Sequence, residues 1–209
     1  MKKSNIVAIS AVAAALAGCA ALTDSDGRAE NRAKAVAMMK ASFNERGQAK
    51  LDRFDQDEVQ KACSLLDGKT LDKETAARLE KAQLATVTYP ADGKYLGDWK
   101  AGEKIAQSGR GGQYNDNPKN PAGGNCYACH ELTKAEVSYG TIGPSLYNFG
   151  KLRGFTPAMQ KYAYGKIYNS NAFSACSSMP RFGHNKVLTE AQIKDVTALL
   201  MDPNSPVNK

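Results

Sequence analysis

The chain has 209 residues, 28 Lys and Arg against 21 Asp and Glu, and a formal charge of +7. With 42% hydrophobic and 23% charged residues it has enough apolar material for a core and is not a disordered tail. After the N-terminus no apolar run reaches the roughly 18 residues that a membrane-spanning helix needs, so a membrane-embedded body is excluded. A single Trp and the lack of a basic run interleaved with aromatics give nucleic-acid binding no support. The positive balance reads as a solvated face or as a steering surface for an acidic protein partner.

The first element, residues 1–18, reads as an export signal: Met1-Lys2-Lys3 supplies the positive start, and Ile6 to Ala17 is an apolar stretch too short to span a bilayer. Leu16-Ala17-Gly18-Cys19 then reads as a lipobox, in which Cys19 becomes a lipidated mature N-terminus. Ordinary cleavage at a nearby small-residue site such as Ala15-Leu16-Ala17 is the alternative. Either route delivers the protein to an oxidising compartment, expected to be the periplasm, with the membrane engaged only through a lipid anchor.

Residues 28–90 read as a helical extension without obvious chemistry, open to a docking role. Ala35, Met38, Met39 and Phe43 recur at helical spacing and predict core packing for the methionine pair, with Gly47 as a candidate stop. Asp57 to Leu66, stopped by Asp67-Gly68, and Asp72 to Leu84 are two further helix candidates. The turn cluster Tyr89-Pro90-Ala91-Asp92-Gly93 marks a domain boundary, and a second domain occupies residues 95–209. In that part Trp99 to Gln107 predicts a short helix, and Ser108 to Gly124, rich in Gly, Asn and Pro, predicts loop. Thr189 to Met201 predicts a closing helix, with a Thr189/Gln192 capping box, a stripe of Ile193, Val196, Thr197 and Leu200, and Pro203 as its stop. The fold class is therefore all-α.

The chemistry lies in Cys126-Tyr127-Ala128-Cys129-His130, the attachment motif for one covalently bound haem c. Two thiols on one turn reach the two vinyl groups on one porphyrin edge, and the adjoining His130 lies where its imidazole can ligate iron. A zinc site or a redox dithiol is the alternative; zinc would need two more ligands from Cys63, Cys176 and His184, which lack paired spacing. A sixth iron ligand must come from elsewhere; Met38, Met39, Met159, Met179, Met201 and His184 are the candidates, with Met179 and His184 at the front. Met179 is favoured because Ser177-Ser178-Met179-Pro180 is an irregular segment that can lay a thioether over a haem face, and methionine opposite histidine is an electron-transfer pairing. Met201, at the end of the closing helix, reads as packing. Cys63 and Cys176 are left over, and in an oxidising compartment an internal disulfide between them is favoured over a buried thiol or a bond to a partner.

Gly143-Pro144-Ser145-Leu146 resembles the stretch of class I cytochromes c in which a proline carbonyl accepts the Nδ1–H of the ligating histidine. Carried to Pro144, this would orient His130; Gly-Pro as a plain turn is the other reading.

From Trp99 to the C-terminus the chain resembles the SoxX family, the small cytochrome subunits of the SoxAX thiosulfate-oxidising complexes. The residues are Cys126 to His130, Gly140-Thr141-Ile142-Gly143-Pro144-Ser145-Leu146, Met179-Pro180-Arg181-Phe182-Gly183, Leu188 to Ile193, and the tail Asp202 to Asn208. The resemblance implies a class I cytochrome c domain, heterodimeric with a SoxA cytochrome that forms the sulfur–sulfur bond to a cysteine of the carrier SoxY, within SoxYZ. It further implies that this chain is the non-catalytic haem subunit of an L-cysteine S-thiosulfotransferase, passing electrons to a small cytochrome c. A stand-alone periplasmic carrier and a haem-based sensor are the competing readings. No acid–base pair or nucleophile stands out, so no catalytic residue is assigned.

Overall fold

The computed structural model describes residues 25–66 and 68–209. The expected signal segment 1–18, the lipidation candidate Cys19, and Asp67 of the Asp67-Gly68 stop lie outside the described residues. Among the described residues the regular elements are seven α-helices and four short 3-10 segments, with no strand, so the fold class is all-α.

The chain divides into two compact units, residues 1–45 and 46–209. In the first, α1 runs from Ser25 to Ser42; Gly47, the candidate stop, lies beyond it in the second unit, in a tight turn where Arg46 and Ala49 exchange backbone hydrogen bonds. Met38 and Met39, expected in the core, are instead 72% and 44% exposed. The physical reason is in the α1 sequence, where Lys, Arg, Asn and Glu recur among the alanines and leave no broad apolar stripe to bury.

The second unit begins with two short capped helices. Asp57 accepts from the Gln60 backbone N–H while the Gln60 side chain accepts from the Asp57 N–H, a complete capping box that starts α2 (Glu58–Ser64). Asp72 accepts from the Thr75 N–H and starts α3 (Lys73–Leu84). Val59 and Leu79 of this pair are buried in a small cluster that is completed by Ala175, a residue far along the chain. Residues 46–90 therefore belong to the same compact unit as 95–209, and the turn at Tyr89–Gly93 lies inside it. That turn does form, with the Gly93 N–H donating to the Pro90 carbonyl at 3.0 Å. It redirects the chain without separating the two parts, because packing and covalent ties cross it.

Four helices then build the larger core: α4 (Trp99–Gln107), α5 (Phe149–Arg153), α6 (Pro157–Tyr168) and α7 (Glu190–Met201). Both α4 and α7 have the ends expected from the sequence, Asp98 capping the first and the Thr189/Gln192 box the second. They pack against each other at Gly102, where a Cβ would lie 2.1 Å from the Asp195 carbonyl oxygen, so only glycine permits the crossing. The last two turns of α7 are buried on almost every side, Val196 to Met201 included. Leu132, Tyr164, Ile193, Leu199, Met201 and Val207 form the centre of the core.

The C-terminal tail closes the unit through Asn208, which is 1% exposed. Its side-chain amide donates to the carbonyls of Leu200 and Asp202 at the end of α7, and its carbonyl accepts from the N–H groups of Gly150 and Lys151 in α5. One side chain thus satisfies backbone groups left open at two helix ends.

Candidate functional site

Cys126–Ala128 form a single 3-10 turn, entered by Asn125 in a left-handed conformation (φ 47°). The N–H groups of Cys129 and His130 both donate to the Cys126 carbonyl, at 3.1 and 2.9 Å, which gathers the two thiols and the imidazole onto one tight turn. Between them Tyr127 points inward; it is 5% exposed, and its hydroxyl lies 3.3 Å from Thr133 Oγ1. The turn is thereby pinned to the core while Cys126, Cys129 and His130 stay partly accessible.

A returning segment lies along this turn. The N–H groups of Gly140, Gly143 and Leu146 donate to the carbonyls of Tyr127, Cys129 and Glu131 at 2.8–2.9 Å. This brings the Pro144 carbonyl to 2.7 Å from His130 Nδ1. A peptide carbonyl can only accept, so Nδ1 carries the proton; in the neutral imidazole this leaves Nε2 with its lone pair. Gly143 makes room for the ring: a Cβ there would stand 2.1 Å from His130 Cε1 and 2.4 Å from Nδ1.

Cys126 and Cys129 are free thiols. Burial, with a smaller contribution from the neighbouring Cys129, pushes the Cys126 thiol up to about 12. A redox dithiol works through its thiolate, which the burial of Cys126 disfavours. Cys63 and Cys176 are joined by a disulfide with an S–S distance of 2.05 Å, and neither is available as a zinc ligand.

The two leading candidates for a second axial ligand lie in different surroundings. Met179 is partly buried against the main core, as is Cys126. Its carbonyl accepts from Ser170 Oγ and its N–H donates to Ser177 Oγ. His184 instead has its Nδ1 3.1 Å from Thr86 Oγ1, in a polar network with Gln83 and Asn169. Burial and then the nearby Arg181 charge hold the His184 imidazole below its ordinary value, so it is neutral at pH 7. Met201 is fully buried in the core.

Sequence reasoning did not single out Arg181, although Met179-Pro180-Arg181 was in view. Its side chain is 7% exposed, and Nη1 donates to Asp57 Oδ2 at 2.5 Å and to Gln83 Oε1 at 3.1 Å. A lone arginine beside a loop methionine carries no signal of a partner more than a hundred residues away.

No family model matches the chain. An uncharacterized lipoprotein of Aquifex aeolicus (strain VF5) is 40% identical over 157 residues, which cover 74% of this chain and 73% of that protein. The chain belongs to the family of that lipoprotein. The shared region spans nearly three quarters of both family members.

Proposed function

We propose that this family member is a mono-haem c-type cytochrome of class I that serves as the electron-relay subunit of a SoxAX complex. The observation that carries the reading is the Cys126–His130 turn, with both thiols free and the His130 Nδ1–H held by the Pro144 carbonyl at 2.7 Å.

The donors present fit a covalently held haem. Cys126 and Cys129, unpaired and on one turn, would hold it by two thioethers, and His130 Nε2 would bind the iron. The Pro144 carbonyl fixes the ring orientation and makes Nε2 a better donor. Gly143 removes the side chain that would crowd that ring. Met179, on an irregular segment against the same core as Cys126, would supply the thioether of the second axial position. When bound, the haem supplies a one-electron iron couple whose potential the axial pair raises. The chain's own part is to exclude water from the apolar side of the site, where Cys126 and Met179 pack against the core cluster that contains Leu132 and Phe149, and to present its positive charge to an acidic redox partner.

The placement in SoxAX rests on the order of the motif, the Met179-Pro180-Arg181-Phe182-Gly183 segment and the tail that ends in Asn208. Sulfur chemistry would then belong to the SoxA partner and SoxY, and this chain would take electrons from the partner and pass them to a small cytochrome c. Kinship to a lipoprotein favours lipidation of Cys19 over ordinary cleavage, which would tether the relay to a membrane by its lipid.

The test is a haem-stained denaturing gel of the native assembly, purified from source cells through a C-terminal tag on this chain. A second haem-positive band in fixed proportion is expected. One haem band alone would make the protein a stand-alone carrier and remove the SoxAX assignment.

A further inference from the structure

The segment 57–86 touches the Met179 loop at several points on both sides of the methionine. Before it, the Glu80 carboxylate accepts the Ala175 N–H at 3.0 Å, and Cys63 is bonded to Cys176. After it, Arg181 is held by Asp57 and Gln83, and His184 by Thr86. Ala175 also completes the small buried cluster of Val59 and Leu79, so α2 and α3 lack a finished core without the loop. A recess of about 510 Å³ has Val59, Cys63, Cys176, Met179 and Arg181 in its wall, which brings the segment up to Met179 itself.

We infer that residues 57–86 are a clamp whose positioning residues, Asp57, Cys63 and Glu80, hold the Met179 loop in the one conformation that can ligate iron. The inference rests on Met179 as the axial ligand. A loop carries a thioether to a metal only if its backbone is fixed, and here the fixing groups come from a distant stretch of sequence with no ligand of its own. Covalent, ionic and apolar ties all fall on the ten residues around Met179, which is more than is needed to cover a surface loop.

The test uses the full chain matured with its haem, in three variants: Asp57→Asn, the double change Cys63→Ser with Cys176→Ser, and Asn208→Ala as a destabilised control far from the loop. Two readouts are taken: the weak near-red charge-transfer band of methionine-ligated ferric haem, and amide hydrogen exchange. In the first two variants the band is expected to fade while the haem stays attached, and exchange across residues 177–187 to rise about tenfold or more relative to α4. Asn208→Ala should leave the band and the relative exchange of the loop unchanged. A band that survives in both clamp variants overturns the inference alone. A wild-type protein with attached haem and no such band overturns Met179 as the ligand, and the clamp's role with it.

Discussion

Removing the Cys63–Cys176 disulfide gives the largest single stability change that the structure allows to be worked out in advance. The bridge spans a sequence separation of 113 residues. In the chain-entropy description, closing a loop of that length removes enough freedom from the unfolded chain to be worth about 4–5 kcal/mol at 25 °C. The perturbation is the double substitution Cys63→Ser with Cys176→Ser, which leaves no lone thiol to pair elsewhere. Urea unfolding followed by far-ultraviolet circular dichroism should then show a midpoint lowered by about 2 M, taking an m-value near 2 kcal/mol/M. The m-value itself should rise, because the uncrosslinked chain exposes more surface when it unfolds. A loss under about 1 kcal/mol would refute the reasoning, since the unfolded ensemble would then already hold these two segments together.

Three further substitutions probe separate contacts. Gly143→Ala places a methyl against the His130 ring, at 2.1 Å from Cε1 before any movement, and should cost about 1–3 kcal/mol in thermal unfolding while disturbing the His130–Pro144 hydrogen bond; an unchanged melt and haem spectrum would contradict the close approach. Asp57→Asn keeps a side-chain oxygen to cap α2 but leaves buried Arg181 without its anion, and should lower stability at pH 7 by about 2–3 kcal/mol, less than for a fully buried pair because Asp57 is a third exposed. Burial pushes the Asp57 carboxyl up, but the Gln60 N–H and the Arg181 guanidinium outweigh it and hold the group below its ordinary 3.8. A carboxyl lowered in the folded state stabilises above that ordinary value and ceases to do so as pH falls through the lower folded one, so the wild type should lose stability more steeply than Asp57→Asn below about pH 4. Asn208→Ala opens four backbone groups at two helix ends and should cost about 3 kcal/mol in urea unfolding; a loss under about 1 kcal/mol would mean water replaces the amide freely.

Local signals in the sequence placed much of the helical frame. Asp57, Asp72 and Thr189 each announce a helix start because a cap and its partner sit within one turn, and all three are caps in the structure. Helix α6 was not legible in the same way: its buried side is made of Ala163, Tyr164, Gly165 and Ile167, and small residues with tyrosines blur the apolar period. Met38 and Met39 misled in the opposite sense, since helical spacing alone does not say that a core faces the helix. The Cys126–His130 motif was legible because its residues are contiguous, and Pro144 because family resemblance pointed to it. The ties from Asp57 and Glu80 to the Met179 loop were not, because each joins residues about a hundred positions apart whose types are common on any surface. The turn at Tyr89–Gly93 looked like a boundary for the same reason: the contacts that cross it leave no trace in local composition.

The most direct test of the account is the intact mass of the mature chain, produced in cells with a cytochrome c maturation system and measured denatured after thiol alkylation without reduction. The expected mass is that of the polypeptide with its Cys19 lipid plus one haem, with Cys126 and Cys129 both protected from the alkylating agent. A mass lacking the haem, with both of those thiols modified, would contradict the account, and the electron-relay reading would fall with it.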